Sequence, residues 1–564
     1  MGNREHRSTE LAIRLVVAQV QEAWRQKAAA SLLQLDISGA FDTVNHTRLL
    51  ATLREFGFPK WLVLWIRAWL TDRVAILYFD GQQTSDIPVM AGVPQGSPLS
   101  PVLFVLYIAS LYTALKEKHP LINLVGFADD SNLLAFGKSP ETNVRQLEAA
   151  WKTCLGWAKT RGMTFAAEKS ELIHFNKNRK QWTNPVNLAV PSREGHSTVQ
   201  PIASGRFLGV WLDWKLSWKA HCHAVDRKLR TQDFALSRIA AKTWGPSLAK
   251  AREVYTKCIR GAVAYGASTF HTPTEIGGKP KGAAKALAKA QNRSLRIVAG
   301  AYKAAPIRCL ETETWVPPLD LYLNKRLADF ERRLQEPALQ SGQRPGFPKR
   351  AASTLVTEAC SKLKRRFRGF KPKPHPQRPT ATEQATASIT QWAAQRRGEK
   401  KLDTDHVMEL AWEARWTHER EGRPTTRLAD EDPPNLLFTD KALKRHEGLT
   451  KAQSSLLTQA RTGDIGLRDF LFKIGVPETA TPYCECGKGR ETVEHLVVWC
   501  CEPPKPRTWE PREIRSHRDL QLILQGAGTQ NSRLARKVLD WLMDSGRLPQ
   551  YRLARRLALE QAEE

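Results

Sequence analysis

The sequence predicts an α+β fold for the first part of the chain and an all-α, strongly basic fold for much of the remainder. Three observations carry this expectation. Up to about residue 215, segments with helical spacing of apolar residues alternate with short, nearly continuous apolar runs that read as buried strands. From residue 218 to about residue 298 only the helical period remains, in a stretch rich in Lys and Arg. Finally, 564 residues with a formal net charge of +29 are too many for one ordinary domain and too basic to be indifferent to polyanions.

The elements come in order along the chain. Residues 9–26 (TELAIRLVVAQVQEAWRQ) have helical spacing behind a Ser8-Thr9 start signal, and residues 30–35 form an apolar run that ends in Asp36, a strand with an acid at its end. Residues 45–73 read as two helices parted by Gly57-Phe58-Pro59, and residues 74–88 as a hairpin turning at Asp80-Gly81. Residues 100–116 are helical and strongly apolar. Residues 122–136 (INLVGFADDSNLLAF) place two apolar runs around Asp129-Asp130-Ser131, which predicts a β-hairpin with acids at its tip. Helical spacing returns over 141–161, and residues 170–175 and 206–212 read as short strands. The tryptophans at i, i+4 spacing, Trp61, Trp65 and Trp69, read as core.

Between about residues 336 and 400 the composition shifts to Pro, Gly, Ser, Thr and basic residues, that of a linker without a packed core. Within it residues 362–373 (KLKRRFRGFKPK) carry seven Lys or Arg and no acid, interleaved with Phe367 and Phe370. That composition suits tracking a single strand, with charge for phosphates and rings for bases, and equally a solvated linker or a nuclear-import signal. Helical periodicity resumes over 401–475, and 531–543 is the clearest helix of the tail. The net charge is +6 over residues 1–215, +12 over 216–300, +11 over 301–400 and zero over 401–564. The longest clean apolar stretch, VLFVLYIA at 102–109, is far short of a membrane span, and the amino terminus does not read as a secretory signal. A chain that stays inside the cell, nuclear or cytoplasmic, with no membrane partner is expected.

Asp36, Asp129 and Asp130 each stand at the end of an apolar strand. An ionised carboxylate against a buried sheet costs several kcal/mol unless it is paired or bound to metal. Two Mg²⁺ ions held by such acids are suited to activating an attacking hydroxyl and stabilising a departing pyrophosphate. The segments around these acids resemble, in order and spacing, the reverse transcriptase of non-LTR (LINE-like) retrotransposons, most closely in fungal form. LQLDISGAFDTVNH (33–46) matches the first catalytic motif, AGVPQGSPLSPVLFVLY (91–107) the second and FADD (127–130) the third, while GMTFAAEKSELIHF (162–175) resembles the fourth and FLGVWLD (207–213) the fifth.

The resemblance implies a polymerase-type palm with incomplete fingers over 1–215 and a helical thumb over 216–335. It implies template-directed addition of deoxynucleotides to a primer 3′-hydroxyl, with an RNA template, a DNA primer and element-encoded RNA as partners. Asp36 and Asp129 would hold two Mg²⁺ ions with Asp130 beside them. Phe41 would screen the sugar 2′ position, and Gln95-Gly96 would lie along template and nucleotide, a place where a residue without Cβ lets backbone approach closely. Lys169 would protonate pyrophosphate, and Phe207, Leu208 and Gly209 would contact the primer. By the same comparison the chain starts inside the fingers, at Arg7-Ser8-Thr9-Glu10, without the cationic clamp on the triphosphate. A catalytically impaired nucleic-acid-binding remnant is therefore the alternative; a group II intron maturase would share the acids but gives no reason for a tail rich in Cys and His.

That tail, YCECGKGRETVEHLVVWCC at 483–501, offers Cys484, Cys486, His495 and Cys500, with Cys501 as an alternative fourth ligand. Three thiolates and an imidazole suit structural, tetrahedral Zn²⁺, and Gly487 and Gly489 supply the tight turn after the first pair. A zinc-knuckle-like motif over 476–505 between a helical segment and a helical tail over 506–564 is thus expected. His221-Cys222-His223 is set aside, because adjacent residues on a helix point to different sides.

Overall fold

A computed structural model describes residues 7–176, 186–192, 195–273, 279–335, 352–367, 403–421, 427–433, 437–438, 441–526 and 528–563. The chain divides into two compact units, Met1–His221 with Glu331–Arg378, and Cys222–Phe330 with Pro379–Glu564.

The first unit is built on a four-stranded antiparallel sheet in which β1 (Ala29–Ile37) lies centrally between β8 (Phe165–Phe175) and β7 (Asp130–Gly137), and β6 (Ile122–Phe127) lies outside β7. Alternate residues of β1 enter different cores. Leu33, Leu35 and Ile37 pack with α2 (His46–Glu55), α3 (Lys60–Leu70), α4 (Ser100–Lys118) and α5 (Pro140–Arg161), while Ala30 and Leu32 pack with α1 (Thr9–Arg25). Both faces are covered, which is why apolar residues of β1 point to either side, Leu32 to one core and Leu33 to the other, rather than strictly alternating with polar ones. Helix ends obey the expected chemistry: the Ser8 hydroxyl accepts from Leu11 N–H at 3.1 Å, and Gly162 ends α5 at φ +73°.

Between α3 and α4 the expected hairpin consists of short ladders, β2 (Val74–Ala75) with β5 (Ile87–Pro88) and β3 (Tyr78–Phe79) with β4 (Gln82–Gln83). Its turn is Asp80-Gly81, both at positive φ, as a type I′ turn requires. After β8 come the pair β9 (Leu188–Ser192) and β10 (Gly195–Val199), then β11 (Ser204–Phe207) and β12 (Val210–Asp213). The span 206–212 therefore folds back on itself, turning at Leu208 (φ +45°) and Gly209 (φ +87°).

Two further expectations change here. Trp61 and Trp65 are 69% and 54% exposed and Trp69 is half-buried; α3 buries Val63, Ile66 and Leu70 instead. Helical spacing puts the tryptophans on one face but does not decide which face the core covers. Second, the basic linker contains a packed helix, Ala352–Arg366, against α1. Leu363 and Phe367 are buried among α1 and the sheet, and the Arg366 guanidinium donates to the carbonyls of Leu121 and Phe136 at 2.8 and 2.7 Å. Phe367 is thereby unavailable to stack on a base; Phe370 and the rest of 368–402 lie outside the described residues.

The second unit is helical. Among its described residues the sole β-type pairing is the bridge Tyr483↔Arg490. One core gathers Leu456 and Leu457 of Lys451–Thr462, Cys484 and Cys500, and Leu520, Leu539 and Leu542 of the tail helices. The helices of 222–330 join the later ones through buried ions: Arg461 pairs with Glu313 at 2.8 Å and with Asp432, Arg445 with both acids at 3.0 and 3.1 Å, and His446 with Glu313 at 3.3 Å. Asp320 and Arg415 form a further buried bidentate pair at 2.6 and 2.8 Å. Across the described residues no helix is long and apolar enough to cross a membrane.

Candidate active site and metal centre

The strand register brings the three acids together. Leu35 pairs with Ser131, so Asp36 and Asp130 lie next to one another across the β1–β7 ladder, and Asp129 stands in the β6–β7 turn beside it. A bulge between Gln34 and Asp36 in the β1–β8 ladder shifts the strand at that point. The turn is tight: Phe127 pairs with Asp130, and Ala128 adopts φ +52°. The geometry crowds negative charge. Asp129 and Asp130 are exposed at the end of the sheet rather than held against its buried face; partial desolvation still raises the Asp130 carboxyl, and the charges of Asp129 and Asp36 raise it further. Lys169, on β8, brings its Nζ to 4.0 Å from Asp36 Oδ2. Three carboxylates that offer hard oxygen donors at one place fit a hard divalent cation.

Beside the acids, the loop after β1 and the loop before α4 are strapped together. Val93 N–H donates to Phe41 O at 2.8 Å, Gly92 N–H to Val44 O at 2.9 Å, and His46 Nε2 to Gly92 O at 2.8 Å. Gly92 sits at φ +86°, and a Cβ there would lie 2.7 Å from Asp42 O, so only glycine permits the approach. Phe41 is half-buried with its ring centroid 5.0 Å from that of Phe104, which backs it on one side. Gln95 is exposed, and its Nε2 donates to both carboxylate oxygens of Asp42 at 3.0 and 3.1 Å. Asp42, directly after Phe41 in the chain, is thus a further residue of the site that the motif roles do not include. Gly96 has φ +91° and open space where a Cβ would be, so both its conformation and its exposure suit backbone approach by a ligand.

Of the three residues expected at the primer, Phe207 is buried in the core behind the sheet and anchors the β11–β12 hairpin, while Leu208 and Gly209 form its tip. Asp213 caps the next turn, accepting from the N–H groups of Lys215, Ser217 and Trp218 at 2.8–3.1 Å.

In the second unit Cys484, Cys486, His495 and Cys500 converge, each offering a ligand atom within 4.8 Å of the others. Cys484 Sγ lies 3.7 Å from Cys500 Sγ, and Cys486 Sγ lies 3.2 Å from His495 Nε2. The C-x-C spacing works because the chain turns sharply after it: Gly487 N–H donates to Cys484 O at 3.0 Å with Gly487 at φ +69°. Gly489 leaves room for the imidazole, since a Cβ there would lie 2.7 Å from His495 Nδ1. His495–Trp499 forms a π-turn in which Cys500 N–H donates to His495 O, bringing Cys500 over the histidine. Cys501 is exposed and outside the cluster. Donation from Lys488 N–H lowers the Cys486 thiol to about 6, whereas burial raises those of Cys484 and Cys500. The donor set suits zinc.

Residues 1–212 match the sequence model of the family described as Reverse transcriptase (RNA-dependent DNA polymerase). The chain is 26% identical to the RNA-directed DNA polymerase from mobile element jockey of Drosophila melanogaster over 376 residues, 66% of this chain and 39% of that protein. Over 151 residues it is 33% identical to the Retrovirus-related Pol polyprotein from type-1 retrotransposable element R2 of Popillia japonica, covering 25% of this chain and 24% of the other. It thus spans well under half the length of these curated relatives. Among solved structures, a truncated apo telomerase from Candida tropicalis aligns at a TM-score of 0.27 and 14% identity over 37% of this chain and 38% of its own, too low a score to inform the fold. The three motif acids that the strand register brings together all lie within the matched segment, and residues 1–212 are thus similar to the reverse transcriptases of non-LTR retrotransposons.

Proposed function

We propose that the chain is an RNA-directed DNA polymerase that extends a primer 3′-hydroxyl on an RNA template, with Asp36 and Asp129 holding Mg²⁺ and Asp130 supporting them. The observation that carries the reading is the meeting of three carboxylates at neighbouring strand ends, close enough for two of them to raise the third. Bound there, two Mg²⁺ ions would favour the attacking alkoxide and take up charge on the departing pyrophosphate. The remaining roles belong to the protein. Phe41, backed by Phe104, presents a wall that a sugar 2′-hydroxyl would strike. Asp42 holds Gln95 by its amide nitrogen and leaves the amide oxygen to serve as an acceptor. Lys169 is poised to give a proton to pyrophosphate from beside Asp36, and the tip at Leu208-Gly209 to touch the primer.

The +12 charge of residues 216–300 supports a polynucleotide partner, RNA template with DNA primer, and a salt-dependent affinity. Zn²⁺ at Cys484, Cys486, His495 and Cys500 would be structural. An intracellular location, nuclear or cytoplasmic, belongs to the same proposal.

The test is primer extension with purified protein, primed RNA, deoxynucleotides and Mg²⁺, beside Asp129→Ala. Incorporation by the wild type alone is expected. Incorporation no higher than that of the variant overturns the polymerase reading, and RNA binding that persists without it marks a binding remnant.

A further inference from the structure

We propose that Tyr112, on α4, is a positioning residue that pins the acid-bearing β6–β7 hairpin in register with Asp36. This rests on reading the three acids as a divalent-metal site. No motif of the sequence singles out Tyr112, and three observations lead to it.

First, its hydroxyl lies 3.0 Å from Ser131 Oγ. Ser131 is buried at the one place where all three acidic segments meet: it pairs with Gly126 of β6 on one side and with Leu35 of β1, next to Asp36, on the other, and it comes directly after Asp130. A hold on Ser131 is therefore a hold on the relative placement of Asp36, Asp129 and Asp130.

Second, β6 is built to admit the ring. A Cβ on Gly126 would lie 2.3 Å from Tyr112 Oη and 2.7 and 2.8 Å from ring carbons Cζ and Cε2. The ring occupies the space a side chain would take, so glycine at 126 and tyrosine at 112 form a matched pair.

Third, the hairpin needs a hold. Its turn runs through Ala128 at φ +52°, a conformation that non-glycine residues adopt at a cost, and it carries two adjacent carboxylates that repel each other. α4 is a rigid anchor, with Tyr107 Oη donating to Arg161 O of α5 at 2.6 Å. Burial pushes the Tyr112 phenol up to about 12, with the Asp129 and Asp130 charges adding to it, so the hydroxyl keeps its proton at neutral pH. α4 opens directly after the Gln95-Gly96 loop, so one helix ties the template-side loop to the acids.

The experiment is Tyr112→Phe, which keeps the ring over Gly126 and removes only the hydroxyl. Mn²⁺ binding is measured by electron paramagnetic resonance on the full chain without primer or nucleotide, and Mg²⁺ dependence by primer extension. Binding roughly tenfold weaker is expected, as for other residues that orient metal ligands. A similar rise in the Mg²⁺ needed for half-maximal extension should accompany it, with near-normal rate at saturating Mg²⁺ and an unchanged melting temperature. Ser131→Ala should reproduce the effect, and the double variant should be no worse than either single one. Mn²⁺ binding equal to wild type, additive losses in the double variant, or a lost rate that Mg²⁺ does not restore together with a lowered melting temperature each overturn the proposal. Mn²⁺ binding that is unmoved by Asp129→Ala sinks the metal-site reading itself and the positioning role with it.

Discussion

Replacing Glu313 with glutamine tests how far the second unit depends on its buried ions. The Glu313 carboxylate is fully buried and faces the guanidinium groups of Arg461 and Arg445 at 2.8 and 3.0 Å and the imidazole of His446 at 3.3 Å. Burial by itself would raise its carboxyl, but these neighbours outweigh it and hold the group well below the ordinary carboxylate range. Glutamine preserves the shape and removes the charge, leaving two buried guanidinium groups to share Asp432. Breaking a buried pair on one side costs about 3–5 kcal/mol. At roughly 2–4 °C per kcal/mol for a unit of a few hundred residues, the melting temperature should fall by roughly 10 °C. Far-ultraviolet circular dichroism of the full chain measures it, with Glu253→Gln as control. That acid pairs with Lys257 on the surface, where the side chains are 55% and 72% exposed, and its loss should leave the melting temperature unchanged. A carboxyl lowered in the folded state contributes its full stabilisation above its unfolded value, near 4.5, and loses it as pH falls through the folded value. The wild type should therefore lead the variant above about pH 4.5, and the two should converge in acid. A loss below about 1 kcal/mol, or a difference that does not shrink in acid, refutes the account of a desolvated, mutually dependent network.

Elemental analysis of purified protein should find zinc at about one ion per chain, retained by Cys501→Ser and lost by Cys484→Ser or His495→Ala, with a lower melting temperature because the cysteines sit in the common core. Burial lowers the Lys451 ammonium, which donates to the end carbonyls of Gly282–Ala299, to about 8 from the ordinary 10.5. The folded state then sheds that proton before the unfolded one does, so stability from this group should rise between about pH 8 and 10.5, by at most about 1.4 kcal/mol per pH unit. Urea titrations across that range should show the rise in the wild type and none in Lys451→Met. Phe41→Val should admit ribonucleotides at least roughly tenfold more readily in primer extension, because the wall against Phe104 recedes.

Local physics made much of the first unit readable. Ser8 and Asn45 cap helices through their side chains, Asp80-Gly81 turns a hairpin as its residue types require, and the acids of FADD stand in and directly after a turn between two apolar runs. Each is a short-range signal. The turn at Leu208-Gly209 was harder to see, since Leu208 is an unusual residue at positive φ and the flanking strands have only four residues each. In 352–367 the basic residues mask the apolar pair Leu363 and Phe367, although i, i+4 spacing is what a helix packed on α1 uses.

By itself the sequence determined which residues could do chemistry: the ordered motifs with Asp36, Asp129 and Asp130, and a cluster of thiols and a histidine with metal-ligand character. Tertiary structure decided which of them meet and what surrounds them. Register places Ser131 between Gly126 and Leu35, and a π-turn selects Cys500 over its neighbour. Folding buried Arg461 against Glu313 from 148 positions away and left Trp61 and Trp65 exposed. The reason is common to all of these. Periodicity and turn chemistry act over a few residues, whereas burial and the pairing of charges depend on what arrives from elsewhere in the chain.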